Sequence, residues 1–443
     1  MKKIGFMVAV AALVFCIRVS GQTDSLQNYM VMAVQNSPAV RAAYRSYEAA
    51  LQRVIPAGTL DDPQISADIY PKPMTHVNGK TIADINIMQM FPWFGTLKAA
   101  RQEKSWMAEA AYQQYREVGL AQTLVVQKLW YRMLSLQEQI LTVQENIRLL
   151  ENIKKVALFK YKTPDVMYGM GKGSGGKAKM SDQLRIQVEI EKLQEQEEDV
   201  KSQLVTGMKQ FNILLHRNEL LSVALPDTLS ESLMPLVKVE DIESRNPQLV
   251  LLKAQGKSYL AQAEKARKMG LPMFGVGVGW MFNEKRNIDN TTGDMTGSGS
   301  MGHMNGMDMP MVMLKVSLPI YRKKVKAQER AAALMKANTD ESYTDQVDRI
   351  RSRYDGIIRE SEEARRRIEL CDKESRILDH TITLMSAEYV NGTSSITDIL
   401  QTQRMLIDFK LKRYDAVAAY DTAAAEMENL AAVNDFSINK EKL

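Results

Sequence analysis

The chain has 443 residues, of which 25% are charged, and its formal net charge is +5. This charge is small for the length and no basic patch is present, so the composition argues against a nucleic-acid partner. No Ser/His/Asp or Cys/His constellation stands out, and the sequence therefore gives no basis for predicting an enzyme.

Residues 1–21 have the pattern of a secretory signal peptide. Lys2 and Lys3 precede an apolar run at about 4–17, and small residues follow that run. We expect cleavage after residue 21, which would place the mature chain, residues 22–443, outside the cytoplasm.

The two cysteines bear on lipidation and on disulfide formation. Acylation of Cys16 would require a small residue before it, and Phe15 stands there. Ordinary cleavage is therefore the preferred interpretation, with a lipoprotein as the alternative. Cleavage would leave Cys371 as the single cysteine, so we expect no intramolecular disulfide in the mature chain.

The rest of the chain divides into two similar halves. Asn-Ser-Pro at 36–38 and Arg-Asn-Pro at 245–247 each open a helical segment, and a second proline follows each opening at the same distance. This self-similarity predicts two structural repeats, at about 28–225 and about 238–436.

Each repeat contains one predicted β-hairpin, at 63–91 in the first and at 272–318 in the second. Pro71, Lys72 and Pro73 are expected to begin the turn of the first hairpin. A long loop rich in Gly and Met connects the strands of the second hairpin. The four predicted strands are 64–70, 81–90, 273–282 and 309–318.

The strands show the period-two alternation of a sheet with two different faces. Ile65 and Ile69 are expected to share one face of the first strand, and Ile85 and Ile87 one face of its partner. In the third strand, valines alternate with the glycines at 275–279. Those glycines suit a curved wall, although glycine also weakens a strand.

Long helices follow both hairpins, at about 95–160 and 322–390. These segments contain no proline and almost no glycine, and each would reach roughly 100 Å as a continuous helix. Apolar residues recur at helical spacing, which is typical of helices packed side by side in a coiled-coil-like wall. Return helices are expected to start at Ser181 and Ser395.

The predicted fold is α+β and mostly α, with four strands in each chain. Four strands leave two open edges, and lipid offers those edges no hydrogen-bond partners. Small closed barrels begin at about eight strands, so closure of a membrane barrel would require a dimer or a larger oligomer.

The ordered set of these features resembles the TolC family of outer-membrane efflux proteins. The set comprises the double repeat, the Asn-Pro openings, the prolines that end the strands, and the sequences Tyr-Val-Asn-Gly-Thr at 389–393 and Asp-Ile-Leu at 398–400. The resemblance implies a homotrimer in the outer membrane, with a twelve-stranded β-barrel and an α-helical barrel in the periplasm. It also implies two partners, a periplasmic adaptor and an inner-membrane pump.

The resemblance further implies a periplasmic gate. Family members close the channel with a Tyr and an Arg that bond an Asp, and a nearby Asp rings the narrow end. Tyr389 matches the Tyr, Asp182 its Asp partner and Asp398 the ring, whereas Ser394 stands at the expected Arg position. The alternative is that both Asp residues only start helices and that Tyr389 only packs.

The Met-rich loop of the second hairpin is the nearest approach to a metal site. Thioether sulfur is a soft ligand that suits Cu(I) and Ag(I), and imidazole can complete such a set. These ions would be transient cargo rather than a cofactor, which would point to the copper/silver efflux branch of the family. Because Met also fills gaps in apolar surfaces, a drifted loop is the alternative. The candidate ligands are Met295, Met301, His303, Met304, Met307 and Met309, with Met74 and His76 from the first hairpin.

Three functions remain open at this point. The first is a passive exit duct for soft metal ions such as copper or silver. The second is the same duct exporting drugs or other small molecules. The third is a soluble periplasmic coiled-coil scaffold, which would explain the helices but not two hairpins at repeat-related positions.

Overall fold

The computed structural model describes residues 26–76, 79–162, 180–226, 229, 231–285, 305–391 and 393–433. The predicted signal peptide and most of the Met-rich loop, including Met295, Met301, His303 and Met304, lie outside the described residues. Among the described residues, no helix is both long enough and apolar enough to cross a membrane.

The described elements follow the same order in each half of the chain: short helices, a hairpin, a long helix and a return helix. The first half comprises α1 (Leu26–Asn36), α2 (Pro38–Gln52), α3 (Val54–Ala57), β1 (Gln64–His76), β2 (Gly79–Phe91), α4 (Thr96–Lys162) and α5 (Met180–Leu214). The second half comprises α6 (Val239–Arg245), α7 (Pro247–Met269), β3 (Met273–Glu284), β4 (Met309–Ser317), α8 (Arg322–Asn391) and α9 (Ile396–Leu430).

The helix boundaries agree closely with the expectations from proline and glycine placement. The long helices α4 and α8 end within two residues of their predicted limits. Ser395 is the N-cap of α9, and its hydroxyl oxygen accepts a hydrogen bond from the Thr397 amide at 3.2 Å. For the other return helix, Ser181 was the expected start, and the described part of α5 begins one residue earlier, at Met180.

The Asn-Pro openings make equivalent hydrogen bonds in the two halves. Asn36 Nδ2 donates to the carbonyl oxygen of Leu215, just past the end of α5, at 3.1 Å. Asn246 Nδ2 donates to the carbonyl oxygen of Leu430, the last residue of α9, at 3.2 Å. Each asparagine thus satisfies a carbonyl that a helix end leaves without an intrahelical partner.

The strands form one antiparallel sheet in the order β1-β2-β3-β4. The first strand is longer than predicted: it continues to His76, so Pro71, Lys72 and Pro73 lie in the strand and not in the turn. The β1–β2 register shifts between Ile69 and Met74, which accommodates these residues. Because β1 is an edge strand in the chain, its prolines remove no hydrogen bond from an inner ladder.

One face of the sheet is apolar and exposed in the single chain. Ile65, Ile87, Val278 and Val312 form one continuous row across the four strands and are 71%, 43%, 58% and 76% exposed. The predicted alternation in the first hairpin therefore matches the register, which pairs Ile65 with Ile87. An apolar surface of this extent needs a cover, either lipid or protein.

The described chain separates into two compact units. One unit contains the sheet and comprises 43–114 and 248–346, and the other contains the described parts of 1–42, 115–247 and 347–443. The unit without the sheet is helical, and one of its hydrophobic clusters contains packed aromatic rings. There, the ring centroid of Tyr29 lies 5.2 Å from that of Phe211 and 5.6 Å from that of Trp130.

Candidate functional site at the ends of the long helices

The segment that connects α8 to α9 packs on α5 through an apolar cluster, which we call the helix-end cluster. Tyr389, in the last turn of α8, is only 6% exposed and lies in this cluster. Its described members are Val143, Ile147, Leu150, Ala157, Ile186, Ile190, Leu193, Tyr389, Ile396, Ile399, Leu400 and Ile407.

Local hydrogen bonds hold the chain reversal that positions Tyr389. The amide and the hydroxyl group of Thr393 both donate to the carbonyl oxygen of Glu388, each at 3.0 Å. Together with the Ser395 cap, these bonds end α8 and start α9 within a few residues.

The structure brings two predicted gate residues close enough to interact electrostatically. Burial raises the pKa of the Tyr389 phenol, and the negative charge of Asp182 raises that pKa further. The phenol therefore keeps its proton at neutral pH. Asp182 lies in the first turn of α5, where a carboxylate also suits the helix dipole.

The third predicted gate residue, Asp398, is not a member of the helix-end cluster, although its neighbour Ile399 is. It occupies the first turn of α9 and is exposed in the single chain. Its backbone carbonyl accepts a hydrogen bond from Thr402 Oγ1 at 2.8 Å, an ordinary interaction within a helix. The carboxylate is thus available to solvent or to a second chain.

Two arginines connect the return helices α5 and α9, although Ser394 supplies no cation. Arg185 Nη1 donates to Thr397 Oγ1 at 2.6 Å. Arg404 Nε donates to Glu189 Oε1 at 2.7 Å, and Arg404 Nη2 donates to the other carboxylate oxygen. Such a bidentate pair restricts both distance and orientation between two helices.

The Glu189–Arg404 pair was missed from the sequence, although one signal was present. Glu189 lies between Ile186, Ile190 and Leu193, which form the apolar stripe of α5, and it is 5% exposed. A carboxylate on an apolar stripe predicts a buried cationic partner. The sequence alone does not identify that partner, since Arg404 is more than two hundred residues away.

A buried amide pair adds to this contact between the two halves. Gln403 Nε2 donates to Asn146 Oδ1 at 2.5 Å, and Asn146 Nδ2 donates to the Thr142 carbonyl at 2.7 Å. Because Gln403 and Arg404 are neighbours, α9 contacts α4 and α5 through polar groups at the same level. These polar contacts link the two return helices within one chain.

The described candidate metal ligands lie at the two edges of the sheet, on β1 or at the start of β4. Met74 belongs to β1 and Met309 to β4, the two edge strands, so the width of the sheet lies between them within one chain. Met307 precedes β4 and is exposed. Among the described residues, no group of three His, Cys, Asp or Glu side chains is placed to hold a metal ion.

Comparison with known proteins gives one family and several structures. Residues 239–433, from α6 to the end of α9, match the family model described as outer membrane efflux protein. No curated protein matches the sequence at a significant level.

Three solved channels share the fold at low sequence identity. The outer-membrane channel OprN has a TM-score of 0.72 and 14% identity, over 93% of this chain and 91% of that one. CusC, whose structures were solved to follow folding and transmembrane channel formation, has a TM-score of 0.73 and 14% identity, over 93% of this chain and 92% of that one. The outer membrane protein VceC from Vibrio cholerae has 0.70 and 12%, over 92% and 96%.

The family match covers the second half of the chain, and the shared fold extends over nearly all of it. Both agree with the resemblance that the ordered sequence features indicate. Residues 239–433 thus match the outer membrane efflux protein family, and the chain shares the fold of the solved outer-membrane channels.

Proposed function

We propose that this chain forms a homotrimeric outer-membrane channel of a tripartite efflux system. The observation that carries this proposal is the four-stranded sheet with one exposed apolar face and two open edges. Three copies would join β4 of one chain to β1 of the next and close a twelve-stranded barrel, with the apolar face toward outer-membrane lipid.

The duct is passive and needs partners to supply energy. Residues 22–443 would form the duct, with repeats at about 28–225 and 238–436, and their long helices would form the helical barrel in the periplasm. A periplasmic adaptor would join this barrel to an inner-membrane pump. The family match supports these roles.

The helix-end cluster is the proposed gate. Tyr389 and Asp182 would form a contact that breaks when the return helices rotate, since a hydrogen bond of about 1 kcal/mol is easily exchanged. Asp398, repeated three times in a trimer, would ring the narrow end and attract cations. Ser394 stands where the family's gate has an Arg, and Arg404, paired with Glu189, would supply the missing positive charge.

Soft metal ions, copper or silver, are the proposed cargo. The support is the chemistry of the Met-rich loop, whose candidate ligands are Met295, Met301, His303, Met304, Met307 and Met309. Met74 and His76, which belong to β1, are the other two candidates. Barrel closure would bring the β1 edge, with Met74, beside the β4 edge of the next chain, with Met309. Drugs or other small molecules are the competing cargo.

Growth of a deletion strain separates the two cargoes. The strain would be complemented with the native chain or with a loop variant in which Met295, Met301, Met304 and Met307 become Leu and His303 becomes Gln. We expect the native chain to restore tolerance to Ag(I) and Cu(I), and the loop variant to restore it incompletely. Sensitivity of the deletion strain to drugs but not to Ag(I) would instead favour the small-molecule duct.

A further inference from the structure

The methionines of strands β2, β3 and β4 all lie on one face of the sheet. The register pairs Met88 with Gly277 and Gly277 with Met313, and it continues the same alternation along the three strands. At the equivalent positions, the opposite, apolar face has mostly Ile, Val, Leu, Phe and Trp, together with Gln89 and Pro310. The methionines of this face are Met88, Met90, Met273, Met281, Met309, Met311 and Met313.

Three glycines of β3 form the floor between these methionines. A Cβ atom on Gly275 would lie 2.6 Å from Met90 Sδ and 3.5 Å from Met88 Sδ, so both sulfurs lean over the same glycine. From the other side, Met313 Cε lies 3.4 Å from the Cβ position of Gly277. Met311 Cε likewise lies 3.6 Å from the Cβ position of Gly279. Thioether side chains of β2 and β4 therefore cover one shallow groove.

Packing alone does not explain why these side chains are methionines. Leu and Met exchange in apolar positions at little cost, because their volumes are similar. The apolar face of the same strands takes branched and aromatic side chains, whereas the face with the glycine floor takes Met at seven strand positions. Two properties separate Met from those residues: its soft, polarisable sulfur and its unbranched, flexible chain, and only the first offers a ligand for a metal ion.

The polar side chains of β2 and β4 beside the three glycines offer a hard ion few free oxygen ligands. The carboxylate of Asp84 already accepts hydrogen bonds from Tyr70 and Asn86, at 2.7 Å each. The amide oxygen of Asn86 is buried beside Gly279 without a hydrogen-bond partner. Lys315 pairs with Gly275 on this face, and its positive charge would repel multivalent cations more strongly than monovalent ones. Two or more thioethers remain as ligands, and these suit Cu(I) and Ag(I).

We propose that Met88 and Met90 of β2 and Met311 and Met313 of β4, above Gly275, Gly277 and Gly279, form a binding track for soft monovalent metal ions. We call these seven residues the methionine track. Its use in export rests on the proposed function, in which this face lines the channel, but its binding chemistry does not. Each sulfur would bind weakly enough to release an ion to the next.

Silver binding to the purified full-length protein tests the methionine track. Ag(I) as its nitrate, in chloride-free buffer, would be equilibrated by dialysis against detergent-solubilised protein and counted by mass spectrometry. The test variant changes Met88, Met90, Met311 and Met313 to Leu. The matched control changes four exposed helix methionines, Met107, Met180, Met269 and Met405, to Leu.

We expect the test variant to lose about one Ag(I) per protomer relative to the native protein, because two or three thioethers make one site. The helix control should bind as the native protein does. All loop methionines remain in both variants, so equal silver binding by the native protein and the test variant would overturn the proposal.

A second measurement needs no substitution and covers the case in which the test variant does not fold. Peroxide oxidises exposed methionines, and bound Ag(I) should slow oxidation of Met311 and Met313 several-fold while that of Met107 is unchanged. Equal oxidation with and without Ag(I) would refute the track. Normal silver tolerance of a deletion strain would refute the proposed export of metal ions. It would not affect the conclusion that the methionine track binds Ag(I).

Discussion

Asp421 is a carboxylate whose charge the fold disfavours. It is completely buried on α9, and its Oδ1 accepts a hydrogen bond from the Ser232 amide at 2.7 Å. Burial raises its pKa from 3.8 to about 6, and the charge of Glu231 adds to this effect, while bonds from Ser232 oppose it. Because the folded pKa lies above the unfolded one, the folded state binds more protons between these values. Stability therefore falls as pH rises from about 4 to about 6 and stays lower above that.

Asp421→Asn is expected to stabilise the protein at neutral pH. Asparagine keeps the oxygen that accepts from Ser232 but carries no charge, so the gain should grow from near zero below pH 4 to on the order of 3 kcal/mol above pH 6. Thermal unfolding of the detergent-solubilised protein at pH 4 and pH 7.5 measures it. Asp408→Asn, at an exposed position of the same helix, is the control and should show no such growth. An equal shift at both pH values would contradict this account.

The Glu189–Arg404 pair predicts a second residue-scale effect. Arg404→Gln leaves the Glu189 carboxylate buried with a weaker partner, which should cost roughly 1–3 kcal/mol. If the pair also holds α5 to α9 in the closed channel, the variant should conduct more in planar bilayers than the native protein. Adding Glu189→Gln removes the buried charge and should restore stability in part. Arg359→Gln, at an exposed position of α8, provides the control. Unchanged conductance of the Arg404→Gln variant would show that the Glu189–Arg404 pair does not act in gating.

At the scale of single elements, the sequence predicts what depends on local chemistry. The absence of proline and the near absence of glycine predicted α4 and α8 to within two residues, because a helix needs only its own backbone partners. The Pro71-Lys72-Pro73 segment looked like a turn, yet β1 continues through it, since pairing with β2 outweighs local turn propensity. The partner of Glu189 could not be predicted, because that contact joins the two halves. The glycines of β3 weakened the strand prediction, and only the register shows that they face methionines.

The start of α9 provides an element-scale prediction. Ser395→Ala removes the side-chain oxygen that accepts from the Thr397 amide, and loss of such a cap costs about 1 kcal/mol. We expect a lower thermal midpoint and faster proteolysis near residue 393. Ser181→Ala is the comparison, because Ser181 lies at the second described position of α5, inside that helix. Equal destabilisation by the two substitutions would show that the Ser395 hydroxyl does not act as a cap.

At the scale of the whole molecule, an arginine is expected to have opposite effects on assembly at two neighbouring residues, because these residues lie on opposite faces of the sheet. Ile65 lies on the apolar face and Ser66 on the face of the methionine track, one position along the same strand. In a membrane barrel, an arginine on the lipid face costs about 2–4 kcal/mol at the midplane, whereas one on the inner face stays in water. Ile65→Arg should therefore reduce heat-resistant trimers in outer-membrane fractions, and Ser66→Arg should leave them near the native amount.

The same pair of variants distinguishes a membrane barrel from a soluble assembly. If the apolar face were covered by protein, Ile65→Arg would still disrupt the oligomer, but the native protein would then need no detergent to remain in solution. Sedimentation of native, Ile65→Arg and Ser66→Arg proteins with and without detergent makes the comparison. A detergent-dependent native trimer, lost in Ile65→Arg and kept in Ser66→Arg, is the expected result, because only lipid explains an apolar outer face on a closed ring of strands. A native trimer soluble without detergent would exclude the membrane barrel.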